Sequence, residues 1–215
     1  MIAIIDYGVG NLRSVEKAFQ AIGADAVLTM NIDQILNAKA VVLPGVGAFE
    51  DGMENLRDNK LIEVVKTVIK RGTPFLGICL GMQMLLEFGD ESNEAIATKM
   101  DDKDIAGLGI IKGRVKRFPE SEGLKIPQMG WNNVKYKKES RLFEGIAQNQ
   151  FFYFVHSYYC ELENEDEVSG VTEYGLNYHS TLERENVFAT QFHPEKSGKI
   201  GLKMLRNFVA IAEEK

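Results

Sequence analysis

Thiols and imidazoles are scarce in this chain of 215 residues: it has two cysteines, Cys79 and Cys160, and three histidines, His156, His179 and His193. No Cys-x-x-Cys or His-x-x-x-His pair occurs, which argues against a structural zinc site; no metal and no cofactor is expected. Two thiols are too few for a disulfide framework and fit a reducing compartment. No apolar run approaches the roughly 18 residues of a membrane span. The opening Met-Ile-Ala-Ile-Ile-Asp has neither a basic n-region nor a cleavage site, so a cytoplasmic protein is expected. Basic residues number 25 against 31 acidic ones, a net charge of −6. Proteins that grip nucleic-acid backbones carry the opposite excess, which excludes that class. What the chain does have is a core: it is 45% hydrophobic. At about 150 residues per domain it is expected to form one domain over 1–215, long enough to bury roughly 70% of its unfolded surface without cross-links.

The first half alternates short β-branched runs with helical stripes. Residues 2–6 read as a buried strand ending at Gly8-Val9-Gly10, and Leu12, Val15, Phe19 and Ile22 recur as one helix face closed by Gly23. Ala40 to Leu43 reads as a second strand, broken by Pro44-Gly45-Val46-Gly47. Leu61, Val64, Val65, Val68 and Ile69 form another helix stripe, closed by Gly72. Pro74 to Ile78 reads as a third strand running into Cys79 and an apolar helix, Leu80 to Leu86. This rhythm predicts an α/β fold: a parallel sheet covered on both faces. From Ile110 onward the runs Val115 to Phe118, Met129 to Val134, Phe151 to Cys160, Val168 to Tyr174 and Val187 to Phe192 read as antiparallel additions, and Lys199 to Ala212 as a closing helix. Residues 89–106 are polar and acidic and read as an exposed excursion.

Gly77-Ile78-Cys79-Leu80-Gly81 is the cysteine form of the Gly-x-Ser-x-Gly elbow. A nucleophile at a tight strand-to-helix turn takes up a strained backbone, and flanking glycines remove the β-carbons that would clash there. The helix that follows favours the thiolate, and the Leu80 N–H is placed to bind an oxyanion. His193 stands in Gln191-Phe192-His193-Pro194-Glu195, after a strand that Pro194 ends. In an extended segment residues two apart share a side, so Glu195 can hold one imidazole nitrogen while the other faces the thiol, a Cys-His-Glu triad. Cys160, His156 and His179 lie in aromatic strands and read as structural. Gly45 and Gly47 let the peptide at Val46 rotate, so the Val46 N–H becomes a second oxyanion donor.

Three other readings compete. Gly8-Val9-Gly10 could open a dinucleotide-binding loop, but the third glycine of that fingerprint would fall at Arg13. A stand-alone cysteine hydrolase would use the same triad and run at full rate unaided. A catalytically dead binding subunit would have no need of the intact triad.

These motifs together resemble the class I, or triad, glutamine amidotransferases, nearly end to end. The residues carrying the resemblance are Asp6-Tyr7-Gly8-Val9-Gly10-Asn11-Leu12, Leu43-Pro44-Gly45-Val46-Gly47-Ala48-Phe49, Gly77-Ile78-Cys79-Leu80-Gly81-Met82-Gln83, Met129-Gly130-Trp131-Asn132, Tyr153-Phe154-Val155-His156-Ser157-Tyr158 and Gln191-Phe192-His193-Pro194-Glu195-Lys196-Ser197-Gly198. The resemblance implies the family's three-layer sandwich, a mostly parallel central sheet with antiparallel additions. It also implies hydrolysis of L-glutamine to glutamate and ammonia: Cys79 attacks the carboxamide, His193 protonates the departing ammonia, and water releases a glutamyl thioester. Val46 and Leu80 would supply the oxyanion hole, and Gly45, Gly47, Gln83, Ser157 and Tyr158 the substrate contacts. Asn11, Trp131, Tyr153 and Lys196 are similar to docking-face and gating positions. Within the family, the Tyr-Gly-x-Gly-Asn, Met-Gly-Trp-Asn and His-Pro-Glu-Lys-Ser motifs are similar to those of subunits that pass ammonia to a (β/α)8-barrel cyclase in histidine biosynthesis. That heterodimeric partner makes imidazole glycerol phosphate and an aminoimidazole carboxamide ribotide. Related pairs feed a synthase of surface-polysaccharide sugars, and the 89–106 excursion, longer than the family's compact connection, keeps that acceptor open.

Overall fold

The computed structural model describes residues 1–91, 104–120 and 123–214. Most of the 89–106 excursion therefore lies outside the described residues. Strand β1 (Ile2–Ile5) leads to helix α1 (Leu12–Ala21), β2 (Ala26–Thr29), α2 (Ile32–Leu36), β3 (Ala40–Gly45), α3 (Phe49–Asp58) and α4 (Ile62–Lys70). Then come β4 (Phe75–Cys79), the one-turn α5 (Leu80–Gln83), β5 (Leu86–Gly89), β6 (Ile105–Ala106), β7 (Ile111–Arg117), β8 (Gln128–Asn133) and β9 (Lys135–Tyr136). The chain closes with β10 (Phe151–His156), β11 (Tyr158–Leu162), β12 (Val168–Glu173), β13 (Asn177–Arg184), β14 (Val187–Thr190) and α6 (Gly198–Glu213).

Among the described residues one large sheet carries the order β2-β1-β3-β4-β14-β13-β11-β7-β5-β6, with β12 attached to β13 and β9 to β12. Its first five strands are parallel throughout, and β13, β11 and β7 follow antiparallel. The parallel strands are apolar at nearly every position because both faces are covered, the exceptions being Thr29 and Thr190 at the carboxyl ends of β2 and β14. Ile2, Ile4, Ala40, Val42, Leu76 and Ile78 point to one side, where Val15 and Phe19 of α1 and Met204, Leu205 and Phe208 of α6 pack. Ala3, Ile5, Val41 and Leu43 point to the other, against Ile35, Met53, Leu56, Val64, Val65 and Val68 of α2, α3 and α4. Helix, sheet and helix make three layers. Phe208 ties one of them together, its ring edge-on to Phe19 at 6.4 Å and to Phe188 at 6.2 Å.

Three expectations are corrected. The run Val187 to Phe192, read as an antiparallel addition, supplies β14, which extends the parallel set beside β4 and is antiparallel only to β13. The helix after Cys79 ends at Gln83 rather than Leu86, because the carbonyls of Met84, Leu85 and Leu86 are taken by backbone N–H groups of Leu108, Gly109, Ile110 and Ile111. Those contacts draw the chain out into β5, which the helical pattern concealed. The run Phe151 to Cys160 is two strands that bend at Ser157: β11 joins the large sheet, whereas β10 pairs with β8 in a separate two-stranded sheet. One face of that small sheet is apolar and bare, with Met129 65%, Trp131 56% and Phe151 56% exposed. No helix among the described residues is long and apolar enough to cross a membrane.

Candidate active site

The carboxyl ends of β3, β4 and β14 stop level with one another. Gly45 is opposite Cys79, and Thr190 is opposite Ile78. In open parallel sheets this edge is where ligands bind. It brings together the Gly45-Val46-Gly47 loop, Cys79 and the segment from Gln191 to Glu195.

Cys79 has φ 54° and ψ −108°, a strained conformation for a residue with a β-carbon. The turn is held by its glycines. A β-carbon on Gly77 would lie 2.8 Å from the carbonyl oxygen of Gly81, and one on Gly81 would lie 1.7 Å from that of Leu43. The elbow therefore packs against β3 with backbone touching backbone. Because α5 is a single turn, it presents only a small dipole to the sulfur, less than the apolar helix expected there.

His193 is almost wholly buried, and its Nδ1 lies 2.9 Å from Glu195 Oε1. Asn11 Nδ2 donates to the same oxygen at 2.8 Å. Among the described residues His193 Nε2 has no partner of ordinary hydrogen-bond geometry, and it faces the Cys79 sulfur. Burial works against a charged imidazole, but the Cys79 thiolate on one side and Glu195 on the other outweigh it, so the His193 pKa is pushed up to about 10. The imidazole thus stands between the Cys79 sulfur and a buried carboxylate. The loop that carries His193 is pinned from outside: its N–H donates to Tyr153 O, and Ser197 Oγ donates to His193 O while accepting from Tyr153 N.

Cys79 opens on a cavity of about 440 Å³ bordered by Val46, Gly47, Leu80, Gln83, Ser157 and Tyr158. The sequence-predicted oxyanion and substrate residues thus converge here, with Gly45 just behind the loop, where an added β-carbon would lie 2.3 Å from Tyr7 Oη. Gln83 is 4% exposed, and its Nε2 donates to Tyr158 O at 3.0 Å and to Gln191 Oε1 at 3.2 Å. Trp131, Tyr153 and Lys196 gather outside the triad: the Trp131 and Tyr153 rings meet edge-on at 6.1 Å, and Lys196 Nζ sits 5.8 Å over the Tyr153 ring. Asn11, expected with them, is instead half-buried against Glu195. A larger cavity of about 760 Å³ near Lys137, Lys138 and Arg141 contains no triad residue.

The three residues read as structural sit in bonded or buried places. His156 is held by Tyr158 O and Tyr178 Oη, and burial, with the charge of His193 adding, lowers its pKa to about 4. His179 Nδ1 accepts from Leu162 N at 2.9 Å, and burial pushes the Cys160 thiol up.

Two residues escaped the sequence reading. Glu91 is the one carboxylate among the described residues bordering the cavity; it accepts from Phe49 N at 3.0 Å. Burial raises its pKa to about 7, opposed by that N–H and assisted by Asp51. It belongs to an acidic stretch, and nothing in one sequence says which carboxylate folds inward. Gln191 donates from Nε2 to Cys79 Sγ at 3.5 Å. No local signal marked it: Pro194–Lys196 is a turn of 3-10 helix rather than the extended segment expected, so the two-residue rule that was to pair His193 with Glu195 does not extend to Gln191.

The profile of the family described as glutamine amidotransferase class-I matches residues 3–212. The chain is 50% identical over 215 residues to "Imidazole glycerol phosphate synthase subunit HisH 1" of Methanococcus maripaludis, covering 98% of this chain and 100% of that one. It is 49% identical to the HisH subunit of Methanocaldococcus jannaschii, with the same coverage of 98% and 100%. Among solved structures, PurLQS from Thermotoga maritima superposes with a TM-score of 0.74 at 18% identity, over 98% of this chain and 97% of that one, a likeness of fold.

Proposed function

The chain belongs to the class I glutamine amidotransferases, and from that membership we propose that it is the glutaminase subunit of an imidazole glycerol phosphate synthase. The observation that carries the chemistry is the meeting of Cys79, His193 and Glu195 at one sheet edge, beside a cavity large enough for an amino acid. Glutamine enters with its carboxamide at the sulfur. Its α-ammonium has a counter-ion in Glu91, and its α-carboxylate faces the backbone at Ser157 and Tyr158, with Gln83 and the Gly45-Val46-Gly47 loop along its length.

The Cys79 thiolate attacks the carboxamide carbon, and the oxygen takes up negative charge opposite the Val46 and Leu80 N–H groups. A donor of this kind contributes about 3 kcal/mol to transition-state stabilisation. The tetrahedral adduct collapses as His193 Nε2 gives its proton to the nitrogen, so the C–N bond breaks and ammonia departs, leaving a thioester. His193 then takes a proton from water, which attacks the thioester and returns the thiolate, giving glutamate. Glu195 holds Nδ1 throughout.

The ammonia acceptor is read from the relatives. Relatives 46–50% identical to this chain, matched over nearly their whole length, are named HisH, which favours the histidine pathway over the polysaccharide one. The partner we propose is a (β/α)8-barrel cyclase docking on the bare face of Met129, Trp131 and Phe151, with Tyr153 and Lys196 between that face and the triad and Asn11 bonded to Glu195. The whole chain acts as one cytoplasmic amidotransferase domain. The test is growth: in a host lacking its own glutaminase subunit, at low ammonium and without histidine, the wild-type chain should restore growth and Cys79→Ala should not. Equal growth of the two would sink the proposal.

A further inference from the structure

The sulfur of Cys79 has a neighbour that the triad does not employ. Gln191 is fully buried, one residue beyond β14, with its main chain fixed by an N–H bond to Ser180 O at 2.8 Å. Its side-chain amide lies between two groups, Gln83 Nε2 at 3.2 Å and Cys79 Sγ at 3.5 Å. An amide can be turned either way, but here its direction is determined. The carbonyl of Tyr158 only accepts, so Gln83 must present its NH2 group there. The same NH2 group reaches Gln191, which must answer with its oxygen, and that leaves the Gln191 NH2 directed at the sulfur. His156 Nδ1, also 2.8 Å from Tyr158 O, holds the carbonyl at the start of this chain.

We propose that Gln191 is a further catalytic residue of the glutaminase reaction, a hydrogen-bond donor that holds the Cys79 sulfur as a thiolate aimed into the cavity, in an orientation imposed by Gln83. The inference deepens the functional reading above and rests on it. An N–H donor favours the ionised sulfur over the thiol. It serves at both ends of the cycle, receiving the sulfur again when the thioester C–S bond breaks. It adds a direction that His193 alone cannot supply, because Nε2 must also be free to face the departing nitrogen. Gln83 thereby gains a second role beside its substrate contact.

The test is the pH dependence of Cys79 alkylation by iodoacetamide, followed on the Cys79 peptide by mass spectrometry. In Gln191→Met, which keeps the bulk and loses the donor, the midpoint should rise by about one pH unit, so that alkylation below the midpoint slows about tenfold. Gln191→Glu keeps the shape and places a carboxylate at the sulfur, and should raise the midpoint further. Gln83→Leu, which does not touch the sulfur, should give a smaller rise in the same direction by freeing the Gln191 amide to turn. Unchanged midpoints in Gln191→Met and Gln191→Glu would overturn the proposal, even if turnover fell. Alkylation requires no glutamine, so the contact is tested whether or not the chain hydrolyses that substrate.

Discussion

Replacing Glu195 by Gln separates the geometry of the triad from its charge. The amide has the carboxylate's length, and Asn11 Nδ2 donates to Oε1, so the oxygen of the new amide is held where Glu195 Oε1 accepts from His193 Nδ1 at 2.9 Å. The tautomer with Nε2 facing the sulfur is thereby retained. What disappears is the negative charge beside the imidazolium. Hydrogen bonds to charged groups contribute about 1.5–3 kcal/mol against about 0.5–1.5 for neutral ones, which makes about 1 kcal/mol the smallest expected loss. Two unit charges 4 Å apart at an effective dielectric of 20 interact by about 4 kcal/mol, which sets the largest. At 1.36 kcal/mol per decade the fall in kcat/KM lies between about fivefold and a thousandfold. Glutamate release by the assembled enzyme should therefore persist in Glu195→Gln and vanish in Cys79→Ala. The sign of the pH effect also follows. The raised His193 pKa depends on Glu195 as well as Cys79, so removing that charge lets the imidazolium lose its proton at lower pH and moves the alkaline limb down. Adding Asn11→Ala unpins the amide and lets its NH2 group turn toward Nδ1, so the double variant should fall below the product of the singles. A loss equal to that of Cys79→Ala, or an unmoved alkaline limb, would refute the reasoning.

Gly81→Ala should yield no folded protein, since the new carbon would lie 1.7 Å from Leu43 O; a normal melting curve would show that the elbow has room. Phe208→Ala empties a site between Phe19 and Phe188 and should cost about 3–5 kcal/mol, or roughly 6–20 °C in Tm for a chain of this size, read by calorimetry. Glu91, with its pKa raised to about 7, binds an ammonium only when ionised, so KM for glutamine should climb as pH falls through about 7 while kcat changes less. In Glu91→Gln the same plot should be flat and high; a wild-type slope there would remove Glu91 from the substrate site.

The parts legible in the sequence were those whose cause is local. The stripes of α1, α4 and α6, the mostly apolar strands β1, β3 and β4 and the elbow at Cys79 each follow from periodicity or backbone sterics within a few residues. The concealed parts depend on distant partners. β13 reads Asn-Tyr-His-Ser-Thr-Leu-Glu-Arg, with no clean alternation, because its buried positions are filled by hydroxyls that pair across the sheet. Ser169 bonds Thr181 at 2.9 Å, and Thr172 bonds Ser180 at 2.9 Å. Glu91 and Gln191 were missed for the same reason: their significance lies in Phe49 N–H and Cys79 Sγ, 42 and 112 residues away.

The small β8–β10 sheet has a mechanical consequence. Cys79 terminates a strand of the large sheet, while the loop bearing His193 is hydrogen-bonded on both sides to Tyr153 of β10. The imidazole is thus held from two sides, by β14 of the large sheet three residues before it and by β10 of the small one. The bare apolar face belongs to the small sheet. A load on that face reaches the imidazole through Tyr153 and Ser197, and so bears on its spacing from the sulfur.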